Sequence, residues 1–190
     1  LVPTGTLTNI AIFLLSYPHL KSKIERISLM GGSAIGGNWT ASAEFNILVD
    51  PEAADIVFKS GIPITMSGLD VTHKAQVYPE DIEKIKNQGG KVAVMVGELL
   101  EFFIKFHKEI CGWEFAPLHD PCAVAWLINP DMFTSKKLNV QIDIDGEHTT
   151  GCTVTDFLNR FKLEPNTDVL LDVDRHQFVD MLIDAVNKYH

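Results

Sequence analysis

Polar and aromatic side chains alternate in a short segment that follows two pairs of glycines. Asn38, Glu44 and Asn46 supply amide and carboxylate groups that can form hydrogen bonds, and Trp39 and Phe45 beside them could cover an apolar ring. This mixture suits a ligand that carries several hydroxyls and one flat end. The competing interpretation is a glycine-rich surface loop in which the asparagines bond only to nearby backbone, and composition alone favours that loop.

The residues before this segment predict where it lies in the fold. Ile27 to Met30 is a short apolar run that stops at Gly31-Gly32, as expected for a buried parallel strand that reaches its carboxyl end. Ligands bind at such ends in open α/β sheets. Gly31-Gly32 and Gly36-Gly37 do not form a dinucleotide fingerprint, because no third glycine follows at the required spacing and no helix is predicted directly after them. Phosphate binding is therefore only weakly indicated.

The pair His119-Asp120 is the second candidate for chemistry. It precedes Pro121 at a predicted helix start, where an aspartate most often caps the helix and bonds its backbone donors. Because imidazole titrates near neutral pH, His119 could act as a general acid, although a lone histidine more often has no chemical role. The pair therefore points to catalysis only in combination with other features.

Composition and charge restrict the class of protein. The chain has 190 residues, 46% of them hydrophobic and 22% charged, which is enough to bury one sizeable core, and we predict a single domain over residues 1–190. The net charge is −9 and the sixteen lysines and arginines are scattered, which argues against a nucleic-acid partner. A small molecule or a metal cation is the better match.

Cysteine usage and hydropathy predict the compartment. Cys111, Cys122 and Cys152 are widely spaced and form no Cys-x-x-Cys pair, so neither a disulfide framework nor a zinc knuckle is indicated. The longest apolar run, Ile10 to Leu15, is too short to span a bilayer, and no signal segment opens the chain. We expect a cytoplasmic protein with no membrane partner.

Apolar periodicity predicts strands that alternate with helices, which is typical of the α/β class. The strands are predicted at residues 1–5, as the end of a strand, and at 27–30, 62–66, 138–144 and 169–173, with 138–144 antiparallel. The helices are predicted after Gly5, with Thr6 or Thr8 as the N-cap, and at 51–61, 79–87, 91–110, 121–127 and 178–186. Residues 21–26 are predicted to be a charged link.

Taken together, several of these segments resemble the nucleoside hydrolases, the inosine-uridine preferring family of ribonucleoside N-glycosidases. The resemblance extends over essentially all 190 residues, and its motifs match in order and spacing. They are Pro3-Thr4-Gly5-Thr6-Leu7-Thr8-Asn9, Leu29-Met30-Gly31-Gly32, Gly37-Asn38, Ala43-Glu44-Phe45-Asn46, Asp50-Pro51-Glu52-Ala53-Ala54, Gly68-Leu69-Asp70-Val71-Thr72-His73 and His119-Asp120-Pro121-Cys122-Ala123-Val124-Ala125. The resemblance implies an open, mostly parallel Rossmann-like sheet flanked by helices, with its first strands missing.

The resemblance also implies a metal and a substrate. The substrate is a ribonucleoside, and a Ca²⁺ ion holds the hydrolytic water together with the ribose 2′- and 3′-hydroxyls. Thr4 contributes its backbone carbonyl to that ion and Asp120 its carboxylate, which are the hard oxygen ligands that Ca²⁺ prefers. His119 protonates or polarises the departing base. Phe103 or His107 approaches the base as part of a mobile cover.

The remaining implied contacts surround the ribose. Asn38 and Asn46 bond the 5′-hydroxyl, Glu44 bonds another hydroxyl, and Met30 and Phe45 pack nearby. Asn38 joins His119 among the residues to which the resemblance assigns catalysis. The implied reaction is hydrolysis of the N-glycosidic bond to ribose and free base. The preference for purine or pyrimidine is not predicted.

One family motif is absent from the sequence. Members carry an amino-terminal Asp-x-Asp-x-Gly-x-Asp-Asp motif that supplies most calcium carboxylates and the general base for the water, and nothing here matches it. We therefore expect an amino-terminally truncated chain that carries half a catalytic site. The alternatives are a ribose-binding fragment without turnover and a fragment that folds only on a partner. The intact protein is expected to be a homo-oligomer, either a dimer or a tetramer.

Overall fold

The computed structural model describes residues 1–189, which contain seven strands and eight α-helices. The strands are β1 (Ile27–Met30), β2 (Ile64–Ser67), β3 (Gln76–Val77), β4 (Ala116–Pro117), β5 (Phe133–Ile142), β6 (Thr153–Asp156) and β7 (Thr167–Val173). The helices are α1 (Thr8–Ser16), α2 (Phe45–Leu48), α3 (Pro51–Phe58), α4 (Leu69–Thr72), α5 (Pro79–Lys86), α6 (Gly90–Cys111), α7 (Pro121–Ile128) and α8 (Arg175–Asn187). Short 3₁₀ helices occupy Pro18–Lys23 and Pro130–Met132.

These elements form two compact units. Unit 1 contains residues 1–72 and 119–172, and unit 2 contains residues 73–118 and, of the described residues, 173–189. The single domain over residues 1–190 stays a prediction. None of the helices among residues 1–189 is long and apolar enough to cross a lipid bilayer.

Unit 1 is built on a mixed sheet with the strand order β1-β2-β7-β5-β6. Strands β1, β2 and β7 are parallel, and β5 pairs with β6 in the antiparallel sense. Residues 1–3 run beside β1, because the carbonyl of Leu1 accepts from the Ser28 amide at 2.9 Å and that of Pro3 from the Met30 amide at 3.0 Å. The sheet confirms the predicted α/β class and the antiparallel strand, which begins earlier than predicted, at Phe133.

The side chains of β1 alternate between the two faces of the sheet, as the pleat requires. Ile27 and Leu29 belong to the main apolar core together with residues of α1, α3 and β5. Ser28 and Met30 meet α7 on the other face: the Ser28 hydroxyl donates to the Ala123 carbonyl at 2.7 Å, and Met30 packs with Leu69 and Ala123. All four β1 residues are therefore buried, which explains why the strand is an uninterrupted run with little polar character.

The N-terminus of α3 forms as its sequence predicts. The Asp50 carboxylate accepts from the Ala53 amide at 3.0 Å, and Pro51 occupies the first helical position, where its missing N–H has no intrahelical partner to lose. The prediction for α1 is wrong in one detail. Leu7 is the N-cap, and the Thr8 hydroxyl donates to the Asp50 carboxylate instead of capping its own helix.

Sequence patterns also missed several short elements. A 3₁₀ helix occupies part of the segment predicted as a charged link, and the four-residue helices α2 and α4 and the strands β3, β4 and β6 were not predicted. Each of these is too short to show a helical or alternating period, so only tertiary pairing reveals it. The strand predicted for residues 1–5 bonds to β1 but is not a regular strand in the structure.

Unit 2 packs α5, α6 and α8 together with the antiparallel pair of β3 and β4. Its central polar contact is Asp81, a buried residue whose carboxylate lies 2.6 Å from the Arg175 guanidinium and accepts from the Tyr78 amide at 3.1 Å. Burial alone would raise the pKa of Asp81, but the Tyr78 amide and Arg175 outweigh it and hold the pKa below its usual range. This ion pair connects the start of α8 to the start of α5.

Candidate active site

The carboxyl end of β1 is a tightly packed turn that only glycine allows. Gly32 has a φ of +75°, and a Cβ atom there would lie 2.8 Å from the side chain of Thr153. The Thr153 hydroxyl donates to the Ser33 carbonyl at 2.5 Å and accepts from the Ser33 amide at 2.8 Å. Strand β6 therefore clamps the loop that leaves β1 and orients the groups that follow.

Glu44 is held directly at this turn. One oxygen of its carboxylate, Oε2, accepts from the Gly32 amide at 2.9 Å and from the Asn46 amide at 3.0 Å, and the residue is 3% exposed. The second bond caps α2. Burial raises the pKa of Glu44 above its usual range despite these amide donors, and the negative charge of Asp120 raises it further. The fold therefore places the charge of Asp120, 76 positions away in the sequence, near enough to affect Glu44.

Asn46 and Met30 are also brought together. The side-chain amide of Asn46 donates to the Met30 carbonyl at 3.2 Å and lies 3.3 Å from its sulfur. These contacts hold Asn46 over the last residue of β1. The two residues therefore share the strand end at which the sequence predicts a pocket.

Asn38 and Phe45 occupy the exposed side of the same segment. The Asn38 side-chain oxygen accepts from the Phe45 amide at 3.0 Å, and the rings of Trp39 and Phe45 meet edge to face with centroids 4.9 Å apart. Phe45 is 40% exposed and Trp39 is 67% exposed, so both rings are accessible to a ligand. The loop interpretation was right that an asparagine bonds local backbone here. The same bond places the Asn38 amide beside Glu44 and Asn46.

His119 and Asp120 stand at the start of α7, where their side chains have different surroundings. The imidazole Nδ1 of His119 lies 2.8 Å from the hydroxyl of Thr72, a fully buried residue of α4. Asp120 is exposed, and within residues 1–189 its carboxylate makes no capping bond to α7. The predicted cap at Asp120 is therefore wrong, because its backbone is already helical, with φ −59° and ψ −40°.

The charge of Asp120 affects the groups around it. Partial burial raises the pKa of its own carboxyl, although the residue is exposed at the surface of the site. Burial and the nearby Asp120 charge raise the pKa of the Cys122 thiol to about 12, so this cysteine stays protonated at neutral pH. An uncapped carboxylate with a raised pKa is a candidate for binding a ligand or a cation.

Thr4 lies in the segment that runs beside the end of β1. It follows Pro3, whose carbonyl bonds the amide of Met30, the last residue of the strand. The residue is exposed. Met30, Glu44 and Asn46 are thus gathered around one strand end in unit 1, and Thr4 follows the residue that bonds Met30.

The oxygen donors only partly match a calcium site. A carboxylate at Asp120 and a carbonyl at Thr4 have the right chemistry, but Ca²⁺ takes about six to eight oxygen ligands. Among residues 1–189, no group of three or more His, Cys, Asp or Glu side chains is placed to hold a metal ion. These two residues alone do not complete the site, and further ligands would have to come from water, from ribose hydroxyls or from other protein groups.

Phe103 and His107 belong to unit 2, on α6. His107 is buried, its Nδ1 lies 2.9 Å from the Phe103 carbonyl, and its ring stacks against Trp113 at 5.8 Å. The centroids of the Phe103 and His107 rings are 4.3 Å apart. Within unit 2 these residues form an aromatic cluster, and their approach to the base of a substrate stays a prediction.

Three residues of the site were missed by the sequence patterns. Thr72 contacts His119, Thr153 clamps the loop after β1, and Ser67 lies opposite Met30 in the sheet with a buried hydroxyl that has no hydrogen-bond partner within residues 1–189. Thr72 lies inside the motif at residues 68–73 and could have been found there. Thr153 belongs to a strand with no periodic signal, so nothing in the sequence identified it.

The sequence and the fold can now be compared with those of known proteins. The family model described as inosine-uridine preferring nucleoside hydrolase matches residues 1–180. The pyrimidine-specific ribonucleoside hydrolase RihA of Photobacterium profundum is 56% identical over 190 residues, and its counterpart of the same description in Shewanella woodyi is 54% identical. Both alignments cover 100% of this chain and 61% of the relative. The chain therefore spans about three fifths of the length of these relatives.

Solved structures of nucleoside hydrolases are also similar to this chain. The purine-preferring ribonucleoside hydrolase from Gardnerella vaginalis superposes with a TM-score of 0.90 at 35% sequence identity, and the match covers 99% of this chain and 60% of that one. The inosine-guanosine nucleoside hydrolase matches with a TM-score of 0.86 at 26% identity. Since the family model covers 180 of the 190 residues and the fold agrees, the chain belongs to the inosine-uridine preferring nucleoside hydrolase family.

Proposed function

We propose that the protein hydrolyses the N-glycosidic bond of ribonucleosides to ribose and free base. The observation that carries the proposal is the buried Glu44 carboxylate, which two backbone amides hold at the end of β1, together with the uncapped Asp120 at the start of α7. Two carboxylates whose pKa values are raised by their surroundings are typical of a site that handles charge. Membership of the nucleoside hydrolase family supports the same reaction.

The two carboxylates suit the charge that develops in this reaction. As the bond to the base breaks, the ribose acquires positive charge, and negative oxygens held nearby stabilise that state. Glu44 is held by two backbone amides, so it needs no rearrangement to meet the sugar. We assign Glu44 to a ribose hydroxyl, Asn38 and Asn46 to the 5′-hydroxyl, and Met30 and Phe45 to packing against the sugar.

His119 is assigned to the leaving base. A nucleobase departs poorly as an anion, so donation of a proton or a hydrogen bond to it lowers the barrier. The contact between Nδ1 of His119 and the Thr72 hydroxyl orients the ring. In unit 2, Phe103 and His107 are proposed to cover the base.

Calcium dependence is part of the proposal. Asp120 would bind the cation through its carboxylate and Thr4 through its carbonyl, together with ligands from other sources. When bound, such a cation lowers the pKa of a coordinated water and holds ribose hydroxyls. The chain's own contribution is to keep the Asp120 carboxylate clear of the helix backbone.

The names of the similar proteins suggest which base the substrate carries. We propose pyrimidine ribonucleosides as substrates, because the relatives at 56% and 54% identity are named pyrimidine-specific, whereas the purine-preferring structure is 35% identical. A cytoplasmic location and a homo-oligomer, either a dimer or a tetramer, complete the proposal. The free state of all three cysteines supports a reducing compartment. A ribose-binding fragment without turnover is the less favoured alternative, since the relatives are named hydrolases.

The test is an assay of base release from uridine, inosine and a riboside with a chromogenic leaving group, with Ca²⁺ and then with a chelator. We expect release from uridine that is faster than from inosine and that stops with the chelator. Calorimetry with Ca²⁺ alone should show binding that Asp120→Ala abolishes. Ribose binding by folded protein that releases no base from any substrate would contradict hydrolysis and favour the binding alternative.

A further inference from the structure

Helix α6 has two apolar faces, and only one of them is buried in unit 2. Ala93, Gly97, Leu100 and His107 are buried against the rest of the unit. On the other side a row of large apolar side chains, which we name the α6 stripe, is exposed by 46% to 71%: Met95, Leu99, Phe102, Phe106 and Ile110. Monomeric proteins rarely leave a continuous apolar patch of this kind in water, so the stripe indicates an interface.

The spacing of the stripe is that of a helix-pairing seam. Its members follow one another at intervals of four, three, four and four residues, which keeps them on one side of the 22-residue helix. A seam of this length can pack along a second helix over several turns. The occupant that the stripe fits is therefore a helix.

Charged side chains along one border of the stripe indicate which helix can pack against it. Lys91, Glu98 and Lys105 are exposed and recur every seven residues with alternating sign. Glu101 lies closer to the buried face, where its carboxylate pairs with Lys86 at 2.5 Å, so it belongs to the contact between α5 and α6. With the exposed Glu109, one turn after Lys105, the border of the stripe presents two positive charges, at Lys91 and Lys105, that alternate with two negative ones, at Glu98 and Glu109.

When a second copy of the helix runs in the opposite direction, this order of charges can place negative residues of one copy opposite positive residues of the other. If a second α6 lies antiparallel, with the two-fold axis between Glu101 and Phe102, Glu98 of each copy faces Lys105 of the other. A parallel pair would place the border of one helix beside the opposite, apolar border of the other, and no opposite charges would meet. The sequence of α6 therefore favours an antiparallel partner with its own charge pattern.

We propose that α6 pairs antiparallel with α6 of a second copy of this chain, with the stripe buried at the centre and two Glu98–Lys105 pairs at the border. This goes beyond the hydrolytic reaction and assigns a surface to the proposed homo-oligomer. It requires no substrate, so it can fail independently of the proposed activity.

Sedimentation velocity over a range of protein concentrations tests the pairing. We expect the wild-type chain to reach twice the 21.1 kDa mass of one copy, and Phe102→Glu to remain at the mass of one copy. Circular dichroism and the melting temperature of Phe102→Glu show whether it is folded. Because Phe102 is 71% exposed, a charge there should leave unit 2 intact. Lys188→Glu, on the exposed surface after α8, is the control and should dimerise normally.

A charge exchange tests the antiparallel arrangement. Glu98→Lys should raise the dissociation constant of the dimer about tenfold, because it converts both border pairs into repulsion. The double variant Glu98→Lys with Lys105→Glu should restore the wild-type constant. A wild-type chain that is monomeric at all concentrations, a dimer that survives Phe102→Glu, or a double variant as weak as Glu98→Lys would each overturn the proposal.

Discussion

Two helices of unit 1 begin with the same dipeptide, Asp-Pro, and use it in opposite ways. At α3, Asp50 has an extended φ of −150°, and its carboxylate accepts from the Ala53 amide and from the Thr8 hydroxyl. At α7, Asp120 has helical backbone angles, and its carboxylate makes no bond to the helix within the described residues. One aspartate completes a helix, and the other is available to a ligand.

The cause of this difference is where the first turn begins. In α7 the carbonyl of His119 already accepts from the Cys122 amide at 3.1 Å, so the chain turns one residue before the Asp-Pro pair. A residue inside the turn cannot fold its side chain back onto the amides that an N-cap residue reaches. The same two residue types therefore form a structural cap at α3 and a candidate site at α7.

The largest expected effect is the loss of activity when Asp120, and not Asp50, is replaced. Asp120→Ala should lower kcat/KM for uridine at least about 100-fold, since it removes a negative charge from the reacting centre. The free energy of unfolding should change by less than about 0.5 kcal/mol, because no bond to the helix is lost. Initial rates and urea denaturation measure the two quantities. A loss of stability that matches the loss of activity would contradict the assignment.

Asp50→Ala is the matched change at α3, and its effect should be the reverse. Loss of the cap should lower the free energy of unfolding by about 1–2 kcal/mol. Rates per folded molecule should stay within about twofold of the wild type, as expected for a change outside the site. If Asp50→Ala abolished base release while the protein remained folded, the comparison between the two helices would fail.

Thr72→Val should produce a smaller effect that depends on the leaving group. It removes the hydroxyl that orients His119, so release of uracil should slow about tenfold. A riboside that releases nitrophenolate needs no proton on its leaving group and should be hydrolysed at an unchanged rate. Thr72→Ser keeps the hydroxyl and should restore uracil release. Equal losses with both substrates would indicate a general structural defect instead.

The smallest effect concerns the pKa of Glu44 in the absence of metal. Asp120→Asn removes a negative charge, so the pKa of Glu44 should fall, whereas Asp50→Asn should leave it unchanged. Carboxyl NMR titration with a chelator present measures both. Because the pKa of Glu44 is raised in the folded state, its ionisation destabilises the fold as the pH rises through that pKa, and Asp120→Asn should weaken this loss. An unchanged pKa in Asp120→Asn would mean that the two carboxylates do not interact.

Much of this protein is determined by short-range sequence signals. The apolar run of β1, the glycines that end it and the helix start at Asp50-Pro51 have clear local signals, and they were predicted correctly. The family motifs also named candidate site residues, of which the structure gathers Met30, Glu44 and Asn46 at the end of β1. These features could be recognised locally because an apolar run, a glycine pair and an Asp-Pro helix start each occupy only a few residues.

Only the tertiary structure decided how those residues act. Asp50-Pro51 and Asp120-Pro121 are indistinguishable as dipeptides, and the contacts of His119 with Thr72, Asn46 with Met30, and Glu44 with the charge of Asp120 join distant segments. A pKa depends on which charges and how much solvent surround a group, and a cap depends on the backbone angles at one residue. Both depend on how the folded chain arranges these groups, which the order of residues does not display.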